Sequence, residues 1–359
     1  MTLAVGMTLT TGNTQGQTAD KNLFNHLDFG VTLGSTGAGF ELAMPATEWA
    51  RIRTGMSYMP KVEVPMTFGI QVGDDPATSS AKFNRLSGYL SDITGNKVKQ
   101  EVEMTGRPTF WNWNVMVDVF PLKNNRHWHV TAGFFLGPSK VAEAYNKTES
   151  MASLLAVDIY NNMYDRVVAS PVLNDPDYFF DNNVLEVLGD IQLLRNLGVT
   201  NPKNFPAELK DFYLNPDKNV VKTAYQDIAS YGRMGVNMGV YKRDITDDEG
   251  NVIHKKGEVY MMEPDDNSMV RADMKVNAFK PYFGIGYDGR LTKHNDHLSI
   301  GFDAGIMLWG GTPSLKAHDG TDLIHDVEGI GGKVGDYIST IEKFKVLPLL
   351  NLRISYRLF

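Results

Sequence analysis

The chain of 359 residues contains no cysteine, which removes disulfide staples, zinc–thiolate centres and thiol nucleophiles. It also has no apolar run near the roughly 18 residues that a membrane-crossing helix requires, so a helical membrane protein is excluded. Positive charge is in short supply: 35 Lys and Arg against 42 Asp and Glu leave a net charge of −7. No basic stripe interleaved with aromatics is present, and nucleic acid is therefore not an expected partner. What the chain does have is 42% apolar residues and 34 glycines. Such a chain is able to bury one large core, or to span a bilayer as strands that are only half apolar.

Strict alternation decides between these. In 110–136, Trp111, Trp113, Val115, Val117 and Val119 share one face, opposed by Asn112, Asn114, Met116, Asp118 and Phe120. Across a polar turn at 121–126, Trp128, Val130, Ala132, Phe134 and Leu136 oppose His127, His129, Thr131, Gly133 and Phe135. A period of two over about ten residues defines a strand with one apolar face, and a tilted strand of that length crosses a bilayer. The pattern recurs at Pro281, Phe283, Ile285 and Tyr287, at Leu298 through Leu308 in steps of two, and at Leu350, Leu352, Ile354, Tyr356 and Leu358. Near the start, Phe29, Val31 and Leu33 take odd positions but Ala38, Phe40, Leu42 and Met44 even ones. That flip marks a turn or a bulge. With the strand from Ala50, the count is seven crossings, or eight if the flip is a turn; single-chain barrels favour the even number. The expected fold is an all-β, antiparallel, transmembrane up-and-down barrel of about eight strands with a helical extracellular insertion. A soluble sandwich or a lipocalin-like barrel is the competing architecture.

Between the crossings, the chain divides as follows. Residues 1–19 read as a signal-peptide remnant, removed before Asp20, or as a disordered N-terminus. Residues 60–105 read as an extended hairpin, with Val62, Val64, Met66, Phe68, Ile70 and Val72 answered by Val102 and Met104, and a loop at 73–95 between. Residues 140–231 lose the alternation. Met151, Leu154, Leu155, Ile159 and Met163, then Val184, Leu185, Val187, Leu188, Ile191 and Leu194, fall at helical spacing. A further hairpin, 236–241 with 257–262, turns through 247–251.

The inward face of the expected barrel carries Glu41, Arg51, Arg53, Asp118, His129, Asp288, Asp303, Arg353 and Arg357. Mirror pairing around the turns sets Glu41 opposite Arg53, Asp118 opposite His129, Val119 opposite Trp128 and Ile285 opposite Phe302. An eight-stranded barrel is just wide enough for side chains, so these charges are expected to pair and plug it. The rival reading is a catalytic Asp–His pair or an ion path, but no matching nucleophile accompanies it. The tryptophans sort into two interface belts, Trp49 and Trp128 beside short turns, Trp111, Trp113 and Trp309 at the far strand ends. Gly329 through Asp336 lacks the upstream glycine of a phosphate loop. Asp175, Asp177 and Asp181 lack the glycine and terminal glutamate of a calcium loop, so no metal or cofactor is expected.

The runs Asn114-Val115-Met116-Val117-Asp118-Val119-Phe120-Pro121, His129-Val130-Thr131-Ala132-Gly133-Phe134, Lys280-Pro281-Tyr282-Phe283-Gly284-Ile285-Gly286-Tyr287 and Ile354-Ser355-Tyr356-Arg357-Leu358-Phe359 resemble the small outer-membrane β-barrel proteins of Gram-negative bacteria. The resemblance covers the barrel and leaves the insertion unmatched. It implies an outer-membrane location, periplasmic chain ends, contact with outer-membrane lipid, and assembly by the barrel-insertion machinery. That machinery would read Tyr356, Leu358 and Phe359, although Phe359 falls out of phase. Family members share no activity, so function is expected from the insertion. The first expectation is a non-enzymatic structural, adhesive or complex-forming protein that meets other envelope proteins through 140–231. A small-solute channel and a barrel enzyme are the rivals.

Overall fold

The computed structural model of the chain describes 25–170 except 123–124, then 174, 226 and 228–359 except 293–294, 332–334, 337, 340–341 and 343–344. The stretch 1–19, the helical stripe at 184–194 and the acidic cluster of Asp175, Asp177 and Asp181 lie outside the described residues. In chain order the elements are β1 (Asp28–Gly34), β2 (Gly37–Thr47), β3 (Ala50–Tyr58), β4 (Val64–Val72), α1 (Pro76–Thr94), β5 (Glu101–Pro108), β6 (Trp111–Val119), β7 (Trp128–Leu136), β8 (Lys140–Asn146), α2 (Met151–Ala169), β9 (Met234–Tyr241), β10 (Ile245–Thr246), β11 (Val252–His254), β12 (Val259–Met262), β13 (Arg271–Lys275), β14 (Phe279–Thr292), β15 (Asn295–Leu308), β16 (Ser314–Ala317), β17 (Val327–Glu328) and β18 (Val346–Arg357).

Eight of these close an antiparallel barrel in the order β1-β18-β15-β14-β7-β6-β3-β2. The parity flip after Leu33 is a turn, so β1 and β2 are separate crossings. The expected pairings are each displaced by two residues. Val119 meets Val130, Asp118 meets Thr131, Ile285 meets Ala304, and Glu41 meets Gly55 while Arg53 meets Ala43. Register shifts beside the turns, between Pro45 and Thr47 and between Arg290 and Thr292, contribute to the displacement in two hairpins. Because the displacement is even, every side chain stays on its expected face. Facing out are Val31, Phe40, Val130, Ile285, Leu350 and Ile354, each about half exposed, whereas Glu41, Arg53, Asp118, His129 and Arg353 are buried inside. This is a core turned inside out, the distribution of a barrel surrounded by lipid. No described helix is long and apolar enough to cross a membrane.

The connections at 59–110, 137–278 and 309–345 all leave from one end of the barrel, where they build a second sheet of order β12-β9-β4-β5-β8-β13-β16, with β17 beside β9. Four strands of this sheet, β5-β8-β13-β16, repeat the order of the wall strands β6-β7-β14-β15 that adjoin them in sequence, so the upper sheet extends the wall. It carries its own apolar core: Ile70 and Val72, Phe83, Leu86 and Leu90, Val102 and Met104, Leu154, Val157 and Tyr160, Met234 and Val236, and Met262.

Two readings of the insertions change here. The stretch 73–95 is helix α1 rather than loop: Asp75 accepts from Ala77 N at 3.0 Å as N-cap, Pro76 begins the first turn, and Gly95 at φ 68° ends the helix. The segment 140–231 opens with strand β8, which pairs with β5 and β13, before α2 begins. On α2 the buried stripe is Leu154, Val157 and Tyr160, with Met151 and Leu155 exposed. Asn161 anchors the helix to the sheet, donating to Met234 O and accepting from Met234 N, both at 2.8 Å.

Candidate functional site

Alternation turns Glu41, Arg53, Asp118, His129, Asp303 and Arg353 into the lumen, and the closure of the barrel brings residues 250 positions apart within bonding distance. Arg53 on β3 is the hub. Its Nη2 donates to Asp118 Oδ1 at 2.8 Å and to Asp303 Oδ1 at 2.9 Å, while Nη1 donates to Glu41 Oε2 at 3.2 Å. Arg353 on β18 donates to Glu41 at 2.9 Å, Asp303 at 3.0 Å and Asp288 at 2.5 Å. Arg51 reaches Asp118 and Asp288, both at 2.6 Å. His129 completes the layer, Nε2 lying 3.0 Å from Asp303 Oδ1 and Nδ1 3.5 Å from Asp288 Oδ2, the latter contact making no hydrogen bond. Thr131 donates to Asp118 at 2.8 Å. Glycine makes the room: a Cβ at Gly286 would collide with the His129 ring, and one at Gly301 with the Asp288 carboxylate.

Above this charged layer lies an apolar one of Met116, Phe135, Tyr282, Met307 and Leu349. Below it, toward the short turns, opens a vestibule of about 520 Å³ whose lining includes His26, Asp28, Arg51, Asp288, Arg290 and Arg357. Arg357 is the one arginine of the expected set that stays out of the layer. It sits at the end of β18, where it bonds Asp28 at 3.4 Å and is 43% exposed. The charge layer fills the middle of the described lumen, and between it and the apolar side chains lies a small cavity of about 30 Å³ whose lining includes Thr32, Ser57, Asn114 and Asn351. The ligand atoms of Asp118, His129 and Asp303 converge within 4.8 Å, which is metal-ligand spacing. The Arg53 guanidinium already lies between the two carboxylates, however, and supplies the positive charge that an ion would bring.

Of the five tryptophans, Trp49, Trp111, Trp113 and Trp128 are exposed on the outer wall. Trp113 packs edge-on to Phe134 at 6.1 Å, and Phe134 lies 5.2 Å from Phe279, forming one belt near the long connections. Trp128 packs on Tyr287 and Phe302 at the other end. Trp309 departs from the belt and is 8% exposed. The cause is parity: on β15 the even residues Ile300, Ile306 and Leu308 face out, so an odd position turns inward. Tyr356 and Leu358 are exposed on the outer side, and Phe359 lies beyond β18.

The upper sheet holds a second charged region that alternation alone did not reveal, because it depends on four short strands meeting. Its cross-strand row is Arg107–Glu143–Asp273–Lys316. Lys140 bonds Glu143 at 2.7 Å and Asp273 at 2.8 Å, and Arg107 bonds Glu143 at 2.8 Å. The Lys140 ammonium in particular holds the Glu143 carboxyl below its ordinary pKa, with slight burial opposing it. Elsewhere in this domain burial pushes the Tyr241 hydroxyl up to about 12. Asp322 is partly buried, which opposes ionisation, yet bonds from Ser314 Oγ, His325 and the backbone of Leu315 and Ile324 outweigh that and hold it below the usual carboxylate range.

No family model and no curated protein matches the chain. Among solved structures it is similar to CarO2 of Acinetobacter baumannii, at 12% identity over 92% of this chain and 98% of that one, TM-score 0.32. CarO of the same organism gives 11% identity over 92% and 97%, TM-score 0.32. A major outer membrane protein of Thermus thermophilus gives 11% identity over 92% and 98%, TM-score 0.24. The barrel reading accordingly rests on this chain's own strands and faces.

Proposed function

We propose that the chain is an integral outer-membrane barrel with a sealed lumen, whose upper domain faces outward from the cell and serves a structural, adhesive or complex-forming role without catalysis. The observation that carries this reading is the closed layer formed by Arg51, Arg53 and Arg353 with Glu41, Asp118, Asp288 and Asp303. An interior so filled supports a wall used as an anchor, and the independent core of the upper domain supports a module that presents a surface. The extent of outward apolar surface supports lipid as the surroundings. The envelope proteins expected as partners would meet the upper domain, and the barrel-insertion machinery would meet the strand ending at Arg357. The vestibule favours the rival channel reading only halfway, because it ends at the charge layer.

Fractionation of cells, together with gel mobility of the unheated and heated protein, tests the membrane assignment. The expected result is recovery with the outer membrane and a mobility that shifts on heating; recovery in the soluble periplasmic fraction would contradict it.

A further inference from the structure

Above the charge layer the two halves of the lumen differ. Strands β6, β7 and β14 fill theirs with Met116, Phe135 and Tyr282, whereas β1, β3 and β18 turn Thr32, Ser57 and Asn351 inward. The cavity of about 30 Å³ lies between these halves, and Glu41, Arg53 and Asp303 of the charge network line it from below. Glycine keeps the space open on the side of β14 and β15: a Cβ at Gly284 or at Gly305 would collide with the Tyr282 hydroxyl. That hydroxyl therefore points along β14 toward the charge layer.

Three of the polar atoms on residues lining this cavity are buried and make no hydrogen bond to any described residue: Ser57 Oγ, Asn114 Oδ1 and Tyr282 Oη. The groups around them are already engaged. Thr36 donates to Asn351 Oδ1 at 3.4 Å, and the carboxylates of Glu41 and Asp303 are each held by Arg53 and Arg353. Buried polar groups in folded proteins are nearly always paired, with protein or with ordered water, and the cavities that stay dry are apolar. This one offers two hydroxyl donors and an amide acceptor, a set that water complements because it both accepts and donates. A buried water needs about 10–15 Å³ of such space, so the cavity has room for about two.

We infer that the cavity is a hydration site, holding about two ordered waters that accept from the hydroxyls of Ser57 and Tyr282 and donate to Asn114 Oδ1, with the carboxylates of Glu41 and Asp303 as further acceptors along the lining. The charge layer is then wet on both sides. Arg51 and Asp288 face the vestibule below, and Glu41, Arg53 and Asp303 face these waters above. The ion-pair network, more than the apolar side chains over it, is what divides the two. The waters stand independently of the sealed-lumen reading; the division rests on it.

The test is X-ray radiolytic labelling of the full chain folded in neutral detergent, with heat-modifiable mobility as the check on folding. Hydroxyl radicals formed from a bound water oxidise the side chains beside it. Met116 and Met307 belong to the same apolar layer and are 4% and 3% exposed, but of the two only Met116 lines the cavity. Met116 and Tyr282 should oxidise several-fold faster than Met307, and faster than Tyr160 and Met262, which are fully buried in the upper core. Ser57→Leu fills the cavity and should bring Met116 down to the rate of Met307; should that variant fail to fold, Ser57→Val reads the same loss. Equal rates at Met116 and Met307 in the unaltered protein, or an unchanged Met116 rate in a folded variant, would overturn the inference and leave the three polar groups to pair with one another. Labelling reads water and not ion flow, so its failure is distinct from a failure of the sealed lumen.

Discussion

The wall and the upper domain of this chain solve opposite problems with the same two-residue period. In the wall, Val31, Phe40, Ile285 and Leu350 face outward while Arg53, Asp118 and Arg353 are buried. In the upper domain, Ile70, Val72, Leu90 and Met262 are buried, and charges pair at or near the surface, Arg243 with Asp326 and Arg271 with Asp265. Each large apolar side chain left in water forgoes about 1.5–3 kcal/mol of transfer free energy, so a wall of them is stable only where water is absent. Alternation thus specifies that two faces differ; the surroundings specify which face is which. The interior charges follow from the same choice, since a narrow lumen flanked by lipid must compensate every charge internally.

The comparison breaks first at Arg53. Replacing it by Met leaves Glu41, Asp118 and Asp303 without their shared cation, and the barrel should lose about 3–5 kcal/mol in reversible urea unfolding in vesicles. A change within about 1 kcal/mol would mean that the lumen is hydrated and the layer dispensable. Leu90→Ala probes the other core. It should destabilise the upper domain by about 2–5 kcal/mol and open it to protease, while the heat-modifiable mobility of the barrel persists. Joint loss of both would show one cooperative unit instead of two. Val117→Arg should impair insertion by about 2–4 kcal/mol, and Asn114→Arg by less, because only position 117 faces mid-bilayer lipid. Equal penalties would reverse the assigned faces.

The smallest effect is a pH dependence confined to the upper domain. Asp322 has its pKa depressed in the folded state, so its contribution is complete above the unfolded value near 4 and is lost as pH falls through the lower folded value. Protease resistance of the upper domain should decline over that acidic range by no more than about 1.5 kcal/mol, and Asp322→Asn should flatten the decline. An unchanged profile in the variant would place the acid sensitivity elsewhere.

Faces were legible in the sequence and distances were not. Parity alone sorted Val117 from Asp118 and Arg353 from Ile354, because a strand's period is fixed by its backbone. Registers escaped, since bulges near Pro45 and Arg290 leave no trace in parity when the net displacement is even. The composition of the charge layer was readable as a near balance of signs, but not that Arg53 would be its hub or that Arg357 would pair with Asp28 at the rim. Trp309 was placed at the correct end and on the wrong face, one residue past Leu308. Helix α1 was legible but read as loop: Phe83, Leu86 and Leu90 fall at helical spacing, and Asp75 and Gly95 cap the segment. The upper sheet was legible as two pairs, β4 with β5 and β9 with β12. Its other strands are short, and their partners lie far away in sequence.

Planar-bilayer recording from the purified, heat-modifiable full chain addresses the sealed lumen most directly. With Arg51, Arg53 and Arg353 locked among four carboxylates beneath a layer of packed apolar side chains, the bilayer should show no stable conductance steps. Stable, single-channel steps of porin size from the folded protein would contradict it.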